Sequence, residues 1–428
     1  MKTNRIFKTL FISLAATLLS STAFAQLSLS ADAKATADTT GAEATGDATA
    51  TDDTAADETA MEEEEEETAP ASMVVSEPAP AASSTPAGSA GYDGGFFIKS
   101  DDGNFKLVIN GRAKIRFNYY NDEYPVIGDN GLPGTNHTNH ANFSLPYSRL
   151  LLHGNVFSPK LGYMFYFDFA TPKNVESYVT YDAIPGKLHL QIGLFKRPIS
   201  RVYITSTAKE HFINQPLGQM GNAEDIGFQV SNNYTKAKGL EWAVAVMNGS
   251  LGGAPFNDFS PVLVGRIGFN NGIKGYANTD FEGGGLRFGV ALSASTEFDH
   301  DNDNITQHYV SVDGMIKVHG LTASAAFYLQ GVAGDFVWDD NTMGAIGSFI
   351  QAGYLINNFL EPVARYGMTH IVDVPDDMQE EITAGLTLHF FDNHRLKWEN
   401  NISLLTQNRG AADTLRDIQF ISQLQLAF

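Results

Sequence analysis

Three basic residues at alternate positions, Arg112, Lys114 and Arg116, are separated by the apolar residues Ala113 and Ile115 and followed by Phe117. In an extended strand a spacing of two puts all three cations on one face. Arg149, Arg266, Arg287 and Arg365, and Arg395 with Lys397, fall on the polar phase of other alternating stretches. Lys196, Arg197, Arg201 and Lys209 open a long stretch that does not alternate. Guanidinium groups stay ionised and present planar donor forks that suit phosphate and carboxylate oxygens. The chemistry to expect is reception of anions along a lined path. Its lining would be Arg112, Lys114, Arg116, Arg149, Lys196, Arg197, Arg201, Arg266, Arg287 and Arg365. The competing use is bracing, because Asp168, Glu176, Asp182, Glu241, Asp313, Glu361 and Glu399 also point inward and buried charge seeks a partner.

Other constellations offer less. His137 and His140 have a metal-ligand spacing but sit in a polar loop with no third ligand nearby. Asp299, Asp301 and Asp303 begin like a calcium loop that lacks its later Gly and Glu, so no metal site is expected there, with weak divalent binding at the cell surface, bridging lipopolysaccharide, as the minor alternative. Gly283, Gly284 and Gly285 read as a turn before a strand. The chain has no cysteine, which excludes thiol catalysis and thiolate metal sites. There is no Gly-x-Ser-x-Gly elbow, and His211 and His308 have no assigned base partner. A barrel hydrolase is therefore the minor alternative; no enzyme activity, cofactor or nucleic-acid partner is expected.

The elements that must carry these residues follow from the rest of the chain. Lys2, Arg5 and Lys8 precede an apolar run from Leu10 to Leu19 that ends at Ala23, Phe24 and Ala25, the pattern of a signal peptide over residues 1–25. Residues 26–90 hold 15 acids against one lysine, including the run Glu62 to Glu67. With so few large apolar side chains this segment cannot offset chain entropy, so it reads as a disordered acidic linker in the periplasm. No later run is apolar and long enough for a membrane helix, so a closed barrel is the spanning structure left open to residues 91–428.

That region alternates with period two. Strands are expected near 105–119, 145–157, 161–171, 175–183, 187–195, 226–234, 239–248 and 262–270, then near 285–295, 308–318, 320–330, 346–356, 359–368, 381–390, 394–405 and 416–428. The fold class is all-β: a transmembrane antiparallel β-barrel of about sixteen strands, an even number as bacterial barrels have. Long connections, starting with 120–144 and 196–225, mostly alternate with short turns, as such barrels require. Two links break the order: 172–174 is short where a loop is due, and 271–284 is long where a turn is due. The last strand alternates Ile418, Phe420, Leu424, Leu426 and Phe428 with Gln419, Gln423 and Gln425. An alternating strand ending at Phe428 resembles the signal read by the barrel-assembly machinery of the outer membrane.

Ordered pieces from about Gly95 to Phe428 resemble the phosphate-selective porin O and P family. They are Gly95, Phe96 and Phe97 through Asn110, Gly111 and Arg112; Tyr147 to Gly154; Gly193 to Pro198 with Thr205 to Thr207 and on to Pro216; Asn248 and Gly249; and Glu361 to Tyr366. The resemblance implies a sixteen-stranded outer-membrane pore, a homotrimer, with a constriction lined by basic residues that passes small anions such as phosphate. General or weakly cation-selective diffusion is the alternative, because residues 91–428 hold 34 acids against 24 Lys and Arg.

Overall fold

The computed structural model describes residues 88–127, 133–221, 223–249, 261–300, 305–332, 344–372, 374, 377–409 and 414–428. The expected signal peptide and nearly all of the acidic linker lie outside these residues, as do Asp301 and Asp303.

A small hairpin of β1 (Ser89–Tyr92) and β2 (Phe96–Lys99) precedes the barrel. The first half of the barrel runs β3 (Lys106–Ile127), β4 (Pro133–Asn155), β5 (Leu161–Asp168), β6 (Lys173–Ile184), β7 (Leu188–Lys196), β8 (Glu224–Ser231), β9 (Gly239–Met247) and β10 (Val262–Asn271). The second half is β11 (Arg287–His300), β12 (Ile305–Val318), β13 (Leu321–Val332), β14 (Ala345–Tyr354), β15 (Leu360–Ile371), β16 (Asp377–His389), β17 (Leu396–Arg409) and β18 (Leu415–Ala427). Each pairs antiparallel with its sequence neighbour, and β18 pairs with β3 from Asp417↔Asp122 to Ala427↔Arg112, which closes a sixteen-stranded barrel. All sixteen expected strands are present. Among the described residues no helix is long and apolar enough to cross a membrane.

The wall is inverted relative to a water-soluble protein. Ile115, Ile192, Val244, Ile267, Ile350, Ile402 and Leu424 are exposed on the outside, while Lys114, Glu241, Arg266, Asp313, Glu399 and Gln423 are buried inside. This is the alternation required when lipid takes the place of water on the outer face. Aromatic side chains gather at the end with the short turns, where Phe105 meets Phe157, Phe359 meets Phe390 and Phe96 meets Phe428. Ile402 stands in the middle of β17 and is 54% exposed. An Ile402→Arg variant should lose about 2–4 kcal/mol of folding stability, the cost of a cation facing mid-bilayer. Urea titration in lipid vesicles measures this, and a loss below about 0.5 kcal/mol, the ordinary surface-substitution range, would contradict a lipid-facing Ile402.

Closure at the seam depends on Gly111. Its N–H donates to the Phe428 carbonyl at 3.1 Å and its carbonyl accepts from Phe428 N–H at 3.0 Å, while the Phe428 ring occupies the space a Cβ on Gly111 would need. Tight turns join strands at the same end: Asn357 and Asn358 have φ of 52° and 55°, and His319 and Gly320 have φ of 49° and 87°. Left-handed conformations at both central residues suit the two-residue hairpin, and Asn and Gly tolerate them best.

One connection departs from the sequence reading, and the two links that broke the long-and-short order break it in the structure as well. The expected loop 120–144 is largely strand, because β3 and β4 stay paired out to Ile127↔Pro133. Its residues are polar on both faces and so show no alternation, yet backbone pairing needs none. His140 and His137 therefore lie on β4, where His137 Nε2 is 3.6 Å from Glu123 Oε1, not in a polar loop. The link before β6 is a tight turn over 169–172, with a register shift between Tyr166 and Phe167. The long link 272–286 does occur at the short-turn end, and it folds inward: Ile273, Tyr276, Asn278, Thr279 and Asp280 are all buried.

Candidate functional site

After β7 the chain cannot continue as strand, because Pro198 lacks a backbone donor. It turns inward through a short helix, α1 (Arg201–Ile204), and an irregular stretch before reaching β8. Folding a loop into the barrel buries backbone polar groups, which need partners. Inward side chains of the wall supply them. Ser311 Oγ donates to the Ile199 carbonyl at 2.7 Å, Lys397 Nζ to Glu210 at 3.0 Å and Arg365 Nη1 to Asn214 at 2.9 Å. Asn401 Oδ1 accepts from Ile213 N–H and Glu381 Oε2 from Leu217 N–H, at 2.9 and 2.8 Å. Ile199, Val202 and Phe212 of the loop pack against the inner wall, with Phe212 under the Arg365 guanidinium. Burial pushes the Glu210 carboxyl up, against the pull of Lys114.

Six of the ten cations expected to line the path are in ion pairs. Arg197 meets Asp225 at 2.9 Å and Glu297 at 2.8 Å. Arg201 and Arg266 share Asp313 at 2.9 and 2.7 Å, and Arg201 also reaches Glu241 at 3.3 Å. Arg365 pairs with Glu381 at 2.5 Å, and Arg287 with Asp280 at 2.6 Å and Glu282 at 2.7 Å. Arg149 holds Asp168 at 2.6 Å. The remaining four bind neutral groups. Arg112 donates to Ser206 and Thr207, both at 3.2 Å, and Lys114 to the Thr207 carbonyl at 3.0 Å. Arg116 donates to Gln423, and Lys196 to the Tyr203 carbonyl at 2.8 Å.

The loop leaves three adjoining cavities, of about 390, 410 and 630 Å³, beside β3 to β8, the second reaching the end of β18 and the third the turn after β8. Arg112 and Arg149 line the first two, Lys196 lines the first and third, and Lys209 of the loop lines the second and third. None of Lys114, Arg116, Arg197, Arg201, Arg266, Arg287 and Arg365 borders these three spaces. Tyrosines stand between the cations: the Arg149 guanidinium lies 3.8 Å over the Tyr147 ring, and Lys196 Nζ lies 5.0 Å from the centre of Tyr203. Burial pushes the Tyr203 phenol well above its usual range, with Glu224 adding to the shift, so it stays neutral.

Several lining residues escaped the sequence reading. Tyr147 shares the phase of Arg149 and was legible in principle. Lys173 was not, because the register shift between Tyr166 and Phe167 resets the phase of β6. His211, a candidate for hydrolysis, is buried with Nε2 3.1 Å from Glu361 Oε1, and His389 holds the other oxygen at 2.9 Å. Thr279 donates to the same carboxylate at 2.9 Å, so this cluster ties the inward loop and the 272–286 turn to the wall. His308 lies 3.1 Å from the Thr296 hydroxyl.

Comparisons with known proteins agree with this architecture. The family model described as phosphate-selective porin O and P matches residues 123–385. A protein of Aquifex aeolicus (strain VF5) described as uncharacterized is 26% identical over 277 residues, 56% of this chain. The match spans 64% of that relative's own length. Among solved structures, the outer membrane channel DcaP of Acinetobacter baumannii aligns with a TM-score of 0.51 at 13% identity, over 77% of this chain and 99% of that one. The anion-selective porin from Comamonas acidovorans aligns with a TM-score of 0.50 at 11% identity, over 75% and 99%. At these identities the two structures speak for the fold.

Proposed function

This chain belongs to the phosphate-selective porin O and P family, and on that premise we propose that it is an outer-membrane pore for passive diffusion of small hydrophilic anions, phosphate among them. The observation that carries the reading is the placement of Arg112, Arg149 and Lys196 on the free spaces beside the inward loop. Arg112 and Lys196 have hydroxyl and carbonyl partners there, not carboxylates, so their charge acts on whatever passes. Charges in a narrow lumen set ion choice, while charges in outer loops are screened beyond about 8–10 Å.

The surroundings of such a pore follow from the same reading. Residues 1–25 direct export and residues 26–90 form a periplasmic tether. The barrel works as a homotrimer in outer-membrane lipid and lipopolysaccharide, inserted by the assembly machinery. It is a channel without enzymatic turnover: His211 is buried against Glu361 in the loop clasp.

Reversal potentials of the purified protein in planar bilayers under a potassium chloride gradient test the proposal. The expected sign is that of chloride preference. A potassium-selective pore would overturn anion selectivity and favour the general-diffusion reading, which Glu176 and Glu224 on the same cavity support.

A further inference from the structure

Glu176 differs from most other inward acids. Asp168, Glu241, Asp313, Glu361, Glu381 and Glu399 each sit in an ion pair within 3.3 Å. Glu176 makes none among the described residues, and it lines all three cavities. A solute in any of them meets this carboxylate together with one or more of Arg112, Arg149, Lys196 and Lys209. We propose that Glu176 tunes the pore toward small organic monoanions that also carry hydroxyl or ammonium donors, and away from compact multivalent oxyanions. The inference rests on the anion-pore reading above.

The physical reasons are three. An ionised carboxylate only accepts hydrogen bonds. A hydroxy acid or amino acid can give its own carboxylate to the arginine fork and its donors to the Glu176 oxygens, whereas a phosphate or pyrophosphate brings more negative charge and fewer donors to the same carboxyl. Arg149 on β4 and Glu176 on β6 are two strand spacings apart and offset by two residues along the strands, roughly 12 Å along the wall, a separation that suits a short carbon chain with different ends. Tyr147, Tyr166, Tyr178 and Tyr203 border the same spaces and offer flat walls with polar tips to the carbon frame.

The test uses bi-ionic reversal potentials of the full-length protein with potassium gluconate, hexanoate and phosphate, and with Glu176→Gln and Glu176→Asp beside the wild type. Gluconate and hexanoate have the same charge but differ in donors. The wild type is expected to pass gluconate about threefold more readily than hexanoate, the effect of one net hydrogen bond. In Glu176→Gln that ratio should fall toward one and phosphate permeability relative to chloride should rise about threefold, with Glu176→Asp restoring the wild-type order. An anion-selective wild type that does not discriminate gluconate from hexanoate, or a Glu176→Gln pore with unchanged ratios, overturns the role of Glu176 alone. A wild type selective for potassium overturns the anion reading itself. If Glu176→Gln does not insert, the wild-type comparison decides.

Discussion

Asp313→Ala will release the inward loop and produce a noisier, wider pore. Asp313 accepts from Arg266 at 2.7 and 3.1 Å, and from the Arg201 backbone N–H and Nε at 3.2 and 2.9 Å. Arg201 begins α1, so this one carboxylate fixes the point where the loop meets the wall. Removing one partner of a buried ion pair costs about 3–5 kcal/mol, because the charges left behind have lost both water and counter-charge. Part of that cost can be recovered only if the loop moves and water enters. Single-channel recording should then show a conductance at least about twofold higher with frequent sublevels, and the heat-modified gel shift should occur at a lower temperature. A quiet channel of wild-type conductance would show that the loop is held elsewhere, with the Arg365–Glu381 pair and the Glu361 cluster as the remaining anchors.

Arg112→Glu combined with Lys196→Glu will turn the pore toward cations. Each substitution replaces a cavity-lining cation whose partners are neutral, so the field along the path reverses there. A unit charge a few ångströms from a passing ion is worth on the order of 1 kcal/mol between the dielectric of water and that of a protein surface. Two reversals therefore change the chloride-to-potassium permeability ratio by roughly tenfold or more. Arg287→Gln is the control. Arg287 is paired with Asp280 and Glu282 and borders none of the three cavities, so selectivity should stay within about twofold of wild type. Equal effects in both variants would mean that total charge, not placement, sets ion choice.

The wall was legible in the residue pattern. A period of two decides on which side of a sheet each residue falls, so Asn401 inward and Ile402 outward were legible without coordinates. The same rule placed every singled-out strand cation inside and set the strand count, because one residue of slip would expose charge to lipid. It failed where pairing continues without amphipathicity, as in the polar ends of β3 and β4, and where a register shift resets the phase before Lys173. Which inward cations are free was settled by the folded loop. Arg112 and Arg266 look alike in their strands, both basic and both on the polar phase. Arg266 is neutralised by Asp313, 47 residues on, beneath a loop that leaves the wall at Arg197, whereas Arg112 faces the space which that loop leaves open. Period fixes direction; charge compensation depends on distances between strands far apart in sequence, and these exist only once the loop has folded into the closed barrel.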